Sequence, residues 1–181
     1  MAIIAKEGAA AFVPCPAGSQ AAVCVDVVDL GLIENTQFPN EDGTPKLQHK
    51  IEAVWESAEP MADGRPFLVR KRYTLSLSDK AVLRHDLESW RGRPFTEDER
   101  KGFDVEKLIG VPCILNVIHK SGSKGGTFAN VATVSPLMRG MTKPMPTGDY
   151  VRICDRKPTE DSVSDRDDEP VAAPNDDDIP F

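Results

Sequence analysis

Three segments in the first half of the chain alternate between apolar and polar residues, the pattern typical of half-buried β-strands. Residues 21–32 (AAVCVDVVDLGL) are rich in valine, residues 46–56 read KLQHKIEAVWE, and residues 66–77 read PFLVRKRYTLSL. The intervening residues, 35–45 and 58–65, contain glycine, proline and aspartate, which favour turns. The pattern therefore predicts three strands joined by two loops.

The hydrophobic period changes from two residues to that of a helix after residue 77. Ser78 and Asp79 favour the N-terminus of a helix that we expect to continue through Trp90. One face of this helix carries its apolar residues: Val82, Leu83, Leu87 and Trp90. The pattern of the helix face indicates that Trp90 belongs to the core.

Two shorter helical signals follow this helix. Thr96 and Glu99 have the spacing of a capping box, which predicts a short second helix. Residues 104–109 predict another brief helix, closed by Gly110. Neighbouring acids on this insert predict local ion pairs for its arginines, namely Arg84, Arg91, Arg93 and Arg100.

Strand patterns resume in residues 111–119 (VPCILNVIH) and 128–134 (FANVATV), on either side of a glycine-rich basic loop. Three strands, a helical insert and two strands is the element order of the OB-fold, a five-stranded Greek-key barrel that often binds oligonucleotides. We therefore expect a mainly β protein, a β-barrel with a helical insert, with an OB-fold domain over residues 1–137. Proline, methionine and then acids dominate residues 138–181, which predicts a disordered acidic tail.

The net charge of −7 is concentrated at the C-terminal end of the chain. Residues 155–181 contain ten acids and three bases, so the charges of residues 1–154 sum to zero. A neutral body argues against tight, purely electrostatic binding of duplex DNA, for which a basic domain is expected. It still permits single-strand binding, which can rest on base stacking and a local basic groove.

Composition and motifs give no sign of an enzyme or of a metal site. The four cysteines form no Cys-x-x-Cys pair, and the histidines have no ligand spacing with them. Cys24 and Cys113 lie in apolar runs and are expected to be buried, reduced thiols. We find no phosphate-binding loop and no nucleophile elbow. No catalytic residue, metal or cofactor is therefore expected.

The chain also lacks sequence signals for export or for membrane insertion. Its first residues, MAIIAK, do not have the charged start and long apolar segment of a signal peptide. No apolar stretch approaches the length of a membrane span. We expect a cytoplasmic protein, in a bacterium or in a bacterial cell infected by a phage, with no membrane partner.

The third predicted strand carries the strongest candidates for nucleic-acid contact. Alternation directs Arg70 and Arg72 to the outer face, and Lys71 and Tyr73 lie between and beside them. Arginine pairs with phosphates and also stacks on bases. In OB-folds the second and third strands line the binding face. The alternative is an ordinary solvated strand face, on which exposed arginines need no ligand.

Other candidates lie on the second strand and around the basic loop. Lys50 is on the polar face of the second strand, whereas Trp55 is on its apolar face, where it can be a core residue or a platform for a base. Phe128 begins the last strand and can either stack on a base or anchor the strand. Lys120 and Lys124 would meet phosphates if the loop closes over the groove.

The last six residues have the chemistry of a docking peptide: Asp176, Asp177, Asp178, Ile179, Pro180 and Phe181. The terminal phenylalanine can fill a pocket while its carboxylate meets an arginine or lysine and the aspartates meet a basic rim. The proline restricts the backbone, so less entropy is lost on binding. The alternative is an acidic end that only aids solubility. We refer to these six residues as the tip.

The tip resembles the C-terminal tip of bacterial single-stranded DNA-binding proteins. In that family the tip recruits replication, repair and recombination proteins and does not itself hold DNA. The resemblance implies host or phage proteins of these classes as partners of the tip.

The body resembles OB-fold single-stranded DNA-binding proteins encoded by tailed phages, over roughly residues 20–137. The similarity lies in AAVCVD (21–26), YTLSLSDK (73–80), LRHDLESWRGR (83–93), LIGVPC (108–113) and FANV (128–131). It implies a protein that covers single-stranded DNA during replication or recombination. The long helical insert departs from the common bacterial domain, so the bacterial tetramer is not carried over. The oligomeric state, a homo-oligomer included, stays open.

Two other functions are compatible with the sequence. In the first, the protein is an interaction decoy, whose tip captures host partners of the bacterial single-stranded DNA-binding protein while the body binds DNA poorly. The neutral body favours this alternative. In the second, the body is an RNA-binding OB module, which the tip disfavours because its usual partners process DNA.

Overall fold

The computed structural model describes residues 13–36, 39–122 and 126–156. Its strands are β1 (Gly18–Asn35), β2 (Lys46–Pro60), β3 (Pro66–Thr74), β4 (Pro112–Ser121) and β5 (Thr127–Ser135). Between β3 and β4 lie α1 (Val82–Arg91), α2 (Glu97–Lys101) and a 3-10 helix (Val105–Leu108), and a second 3-10 helix (Ile153–Asp155) follows β5. Each predicted strand overlaps one of these strands.

The strands form one five-stranded antiparallel sheet in the order β3-β2-β1-β4-β5. The two strands at the ends of this order approach each other, since the Lys71 Nζ on β3 lies 3.5 Å from the Ala132 carbonyl oxygen on β5. The fold is therefore mainly β, with few helices, and is compatible with a barrel-like arrangement.

The long strand β1 connects the two halves of the sheet. Residues 18–23 pair with β4, and residues 22–35 pair with β2. The β1–β2 register shifts between Cys24 and Asp26 and again between Asp29 and Gly31, where the glycine has a φ of 72°. Such bulges bend a strand and increase its twist. The bends allow one strand to serve two partners.

Helix α1 closes one side of the core. Leu83, Leu87 and Trp90 are buried, and the rings of Trp90 and Trp55 lie 6.1 Å apart, which joins α1 to β2. The Trp90 Nε1 donates a hydrogen bond of 3.0 Å to the Pro112 carbonyl oxygen at the start of β4. Val82, which the sequence places on the same apolar face, lies in the first turn and is 40% exposed.

The predicted cap of α1 is also wrong. The helix begins at Val82, and Ala81 occupies the N-cap position without a side-chain hydrogen bond to the helix. The Ala81 N–H donates to the Ser78 carbonyl oxygen at 3.0 Å, so Ser78 belongs to a turn that precedes the helix. Asp79 instead pairs with Arg84 of α1.

The capping box predicted for the second helix is confirmed, whereas the predicted closure of the third helix by Gly110 is wrong, because Ile109 occupies its C-cap position. The Glu99 N–H donates to Thr96 Oγ1 at 3.3 Å, and the Thr96 N–H donates to Glu99 Oε2 at 3.0 Å, which completes the capping box. The brief helix predicted at 104–109 is present as the first 3-10 helix, which begins where Asp104 accepts from the Glu106 N–H at 3.1 Å.

The described chain continues past β5 and returns to the sheet. The sequence predicts a disordered tail from Met138 onward, and the structure describes this segment as far as Arg156. Residues 146–156, which we call the strap, lie against β1 and β2 through hydrogen bonds that begin at Thr147. The candidate residue Lys124 and the tip lie outside the described residues.

The four cysteines are unbonded thiols. Cys24 and Cys113 are fully buried, as their apolar surroundings in the sequence predict. Burial raises the pKa of the Cys24 thiol to about 12. Cys154, in the strap, is exposed.

Candidate nucleic-acid interface

The outer face of β2 and β3 presents the strongest group of candidate residues. Arg72 lies opposite Glu52 in the antiparallel register, and Arg70 lies opposite Val54. Directly opposite residues share one face of a sheet. Both arginine side chains are exposed, by 45% for Arg70 and 58% for Arg72. The predicted alternation of β3 is therefore confirmed for this pair.

Glu52 holds the two arginines in place from beneath. The Arg72 Nε lies 3.0 Å from Glu52 Oε1, and the Arg70 Nη1 lies 3.4 Å from Glu52 Oε2. The glutamate is 7% exposed, so its carboxylate needs charged partners. The terminal nitrogens of Arg72 have no acceptor among the described residues. The arrangement orients both guanidinium groups and leaves donors available to an anion.

Lys50 lies at the end of the same row. It is opposite Thr74, and its Nζ donates to Thr74 Oγ1 at 2.7 Å. Partial burial lowers the pKa of Lys50. The structure therefore brings Lys50, Arg70 and Arg72 together on one face.

The other two candidates on β3 point to the opposite side. The Lys71 Nζ lies 2.7 Å from Asp86 Oδ2 on α1, and the Tyr73 hydroxyl donates to the same oxygen at 2.7 Å. Tyr73 is 5% exposed, and burial raises the pKa of its hydroxyl well above the usual value. Lys71 and Tyr73 hold α1 against the sheet. The prediction that they join Arg70 and Arg72 in one group of contact residues is therefore wrong for this structure.

Trp55 is a core residue, so the interpretation of Trp55 as a base platform is wrong for this structure. Its side chain is 1% exposed and packs against Trp90. A ring buried to this extent has no free face on which a base could stack. The sequence left this choice open because the apolar face of β2 could be assigned to the core only once α1 was placed on it.

Lys120 and Phe128 form a second group at the end of the β4–β5 hairpin. They lie opposite each other in the register, and Phe128 is 48% exposed. The glycines of the loop fit closely around this ring: a Cβ at Gly122 would lie 2.5 Å from Phe128 Cε2. Phe128 also lines an open pocket with Pro14 and Thr127. No hydrogen bond, ion pair or ring contact among the described residues joins this group to Arg70 and Arg72.

The sequence did not reveal that the buried carboxylate of Asp26 binds the strap. Asp26 lies on β1 and is 1% exposed. Three groups of the strap donate to it: the Tyr150 hydroxyl at 3.1 Å, the Arg152 Nε at 3.2 Å and the Ile153 N–H at 2.9 Å. The signal in the sequence was an acid inside a run of valines, which implies a partner elsewhere in the chain.

Glu56 anchors the other end of the strap. It is 2% exposed and accepts hydrogen bonds from the Thr147 N–H at 2.9 Å and from the Thr147 Oγ1 at 3.2 Å. Between the two carboxylates, the Tyr150 side chain packs on Val23, Val25 and Val54. The strap therefore covers the part of the outer face that lies beside Arg70.

The arginines of the helical insert make local ion pairs, as the sequence predicts. Arg84 pairs with Glu88 at 3.0 Å, Arg91 and Arg93 pair with Glu99 at 2.5 Å and 2.9 Å, and Arg100 pairs with Glu97 at 3.9 Å. The guanidinium carbon of Arg91 also lies 4.5 Å from the centroid of the Phe95 ring. These arginines stabilise the insert.

Within residues 13–36, 39–122 and 126–156, no three histidine, cysteine or acidic residues cluster as metal ligands. None of the helices in these ranges is long and apolar enough to cross a membrane. A scan against protein-family models and a search of curated proteins found no match to the chain.

Proposed function

We propose that the protein is an OB-fold protein that binds single-stranded DNA with little sequence preference during the replication or recombination of phage DNA, without an enzymatic activity. Two features of the fold support the OB assignment: the order β3-β2-β1-β4-β5 with β3 approaching β5, and the helices between β3 and β4. The second and third strands of OB-folds line the binding face.

The observation that carries the proposal is the pair Arg70 and Arg72 on that face. Glu52 orients both side chains, and each keeps guanidinium nitrogens directed to solvent. A guanidinium group matches the geometry of a phosphate and can also stack on a base. Leu68, on the same face of β3, is 41% exposed and adds apolar surface for bases. A flexible anionic strand with exposed bases is the ligand that this combination fits.

The tip extends the proposal to protein partners. Three aspartates followed by Ile179, Pro180 and Phe181 give it both charge and an apolar anchor. We infer that the tip recruits host or phage replication, repair and recombination proteins to the DNA that the body covers.

The test is fluorescence anisotropy of labelled oligo-dT, oligo-rU and a DNA duplex, titrated with the full chain over a salt series. Anisotropy is preferable to intrinsic fluorescence because both Trp55 and Trp90 are buried. We expect saturable binding of oligo-dT that weakens with salt, and weaker binding of the duplex. Equal or tighter binding of oligo-rU would identify the ligand as RNA. No binding of any single strand would contradict the proposal.

The variant Arg72→Gln tests the proposed face directly. Loss of one phosphate contact reduces the steepness of the plot of log K against log salt concentration by about 0.7 for a single strand. Relative to 1 M salt, this change lowers the affinity about 8-fold at 50 mM salt. Arg70 still pairs with Glu52 in this variant, so the fold is expected to persist. Arg100→Gln on α2 removes the same charge elsewhere and should bind like the wild type. Equal affinities of the two variants would reject this face.

One observation favours the decoy as a second candidate. Glu52 offsets part of the charge of Arg70 and Arg72, and Trp55 and Tyr73 are buried and cannot stack on bases. If the full chain binds a protein partner through its tip and leaves oligo-dT unbound at low salt, the decoy is the better account.

A further inference from the structure

The strap brings an additional aromatic ring and an additional arginine to the edge of the Arg70 and Arg72 face. Tyr150 packs against the cluster of Val23, Val25 and Val54, and Val54 lies directly opposite Arg70 in the β2–β3 register. The guanidinium carbon of Arg156 lies 5.4 Å from the centroid of the Tyr150 ring. Tyr150 therefore joins Arg156 to the part of the outer face on which Arg70 lies.

The charges around Tyr150 agree with this placement. Burial raises the pKa of the Tyr150 hydroxyl, and the positive charges of Arg156 and Arg70 act in the opposite direction. The hydroxyl also donates to the buried carboxylate of Asp26, which raises its pKa further.

Arg156 is oriented by its contacts, but it pairs with no carboxylate among residues 13–36, 39–122 and 126–156. Its Nε donates to the Val151 carbonyl oxygen at 3.0 Å, and its plane rests near the Tyr150 ring. Its terminal nitrogens have no acceptor among the residues that the structure describes, and the side chain is exposed. An arginine that is fixed at one side and open at the other loses little rotamer freedom when it meets a phosphate.

The neighbouring Arg152 has a different task. Its Nε pairs with the buried carboxylate of Asp26 at 3.2 Å, and its Nη2 pairs with Glu106 at 2.9 Å. Because it pairs with both acids, Arg152 holds the strap in place. Arg152 thus belongs to the part of the strap that is attached to the sheet, and Arg156 belongs to the part that faces solvent.

We propose that the single-strand binding surface continues from β3 onto the strap, with Arg156 contacting a backbone phosphate beyond those bound by Arg72 and Arg70, and with Tyr150 supporting its guanidinium group. The inference rests on the proposed function, since it assigns a further contact to the same ligand. In this arrangement the strap forms part of the binding site, so it does not have to detach before DNA binds.

The test measures oligo-dT binding by the full chain and by three variants: Arg156→Gln, Arg72→Gln and Arg100→Gln. We expect Arg156→Gln to reduce the salt slope by about 0.7 and the affinity by about 8-fold at 50 mM salt. Its thermal midpoint should stay unchanged because the side chain is exposed. Arg156→Lys keeps the charge but loses the planar group, and should fall between Arg156→Gln and the wild type.

Each other outcome has a distinct meaning. Unchanged or tighter binding by Arg156→Gln, with weaker binding by Arg72→Gln, overturns the role of the strap and leaves the proposed function intact. Absence of oligo-dT binding by the wild type overturns both. Weaker binding by Arg156→Gln together with a lower thermal midpoint assigns Arg156 to holding the strap, and overturns its role as a contact.

Discussion

Three acids on the outer face of β1 and β2 show how single residues organise the candidate site. Asp26, Glu52 and Glu56 are all buried, and each is satisfied by donors from another segment. A buried carboxylate without such partners would strongly disfavour the folded state. In the sequence only Asp26 stands out, because it lies inside a run of valines. Glu52 and Glu56 look like ordinary acids on strands, because their burial depends on segments that are distant along the chain.

Glu99 is expected to make the stability of the insert depend on pH. The Thr96 backbone N–H, followed by Arg91 and Arg93, lowers the pKa of this carboxyl from 4.5 to about 2. A lowered pKa in the folded state means that the stabilisation is complete above about pH 4.5 and is lost as the pH falls through about 2. The wild type should therefore have a higher denaturant midpoint of unfolding than Glu99→Gln above about pH 4.5. The two midpoints should converge as the pH falls towards about 2.

Glu97→Gln is the matched control for this pH dependence. Glu97 lies on the same helix, is 89% exposed and pairs with Arg100 at a longer distance of 3.9 Å. Its variant should follow the wild-type pH profile. A Glu99→Gln profile parallel to that of the wild type between pH 4.5 and 2 would contradict the prediction.

At the scale of elements, hydrophobic alternation located the strands because the side-chain period of a strand is local. The same alternation placed Arg70 and Arg72 correctly on one face of β3. It could not decide the role of Trp55 or Tyr73, since that depends on which face α1 covers. It also gave no indication of the strap, whose only regular structure is the short 3-10 helix Ile153–Asp155 and whose partners lie in β1 and β2.

The strap is expected to be required for stability. A chain that ends at Leu137 loses the hydrogen bonds to Asp26 and Glu56 and uncovers the valines beneath Tyr150. Hydrogen bonds to charged groups contribute about 1.5–3 kcal/mol each. We therefore expect the free energy of unfolding to fall by at least about 3 kcal/mol, measured by urea denaturation.

A chain that ends at Arg156 keeps the strap and serves as the control. Its urea midpoint should match that of the full chain. If the chain ending at Leu137 is equally stable, the contacts of the strap are not needed to maintain the fold.

At the scale of the whole molecule, charge is divided between two parts of the chain. Residues 157–181 contain nine acids and two bases, whereas the charges of residues 1–156 sum to zero. Under the proposed function, the acids of the tail and a nucleic-acid strand would be competing anionic ligands for the same arginines. We expect removal of residues 157–181 to tighten oligo-dT binding several-fold at low salt, with the difference disappearing at high salt.

A full-length variant with the nine tail acids replaced by their amides separates charge from length. It should bind oligo-dT like the shortened chain in an anisotropy titration. Equal affinity of the full and shortened chains at low salt would show that the tail does not compete with DNA.

The contacts of the strap also constrain the order in which the protein can fold during synthesis. The partners of Asp26 follow it by 124 to 127 residues, and Thr147 follows Glu56 by 91. Strands β1, β2 and β3 leave the ribosome long before the strap does, so the nascent sheet carries two unpartnered carboxylates and an uncovered patch of valines. Contacts of such separation form slowly. The face proposed to bind DNA is therefore completed only after the strap has been synthesised, when Tyr150, Arg152 and Ile153 reach Asp26 on the first strand.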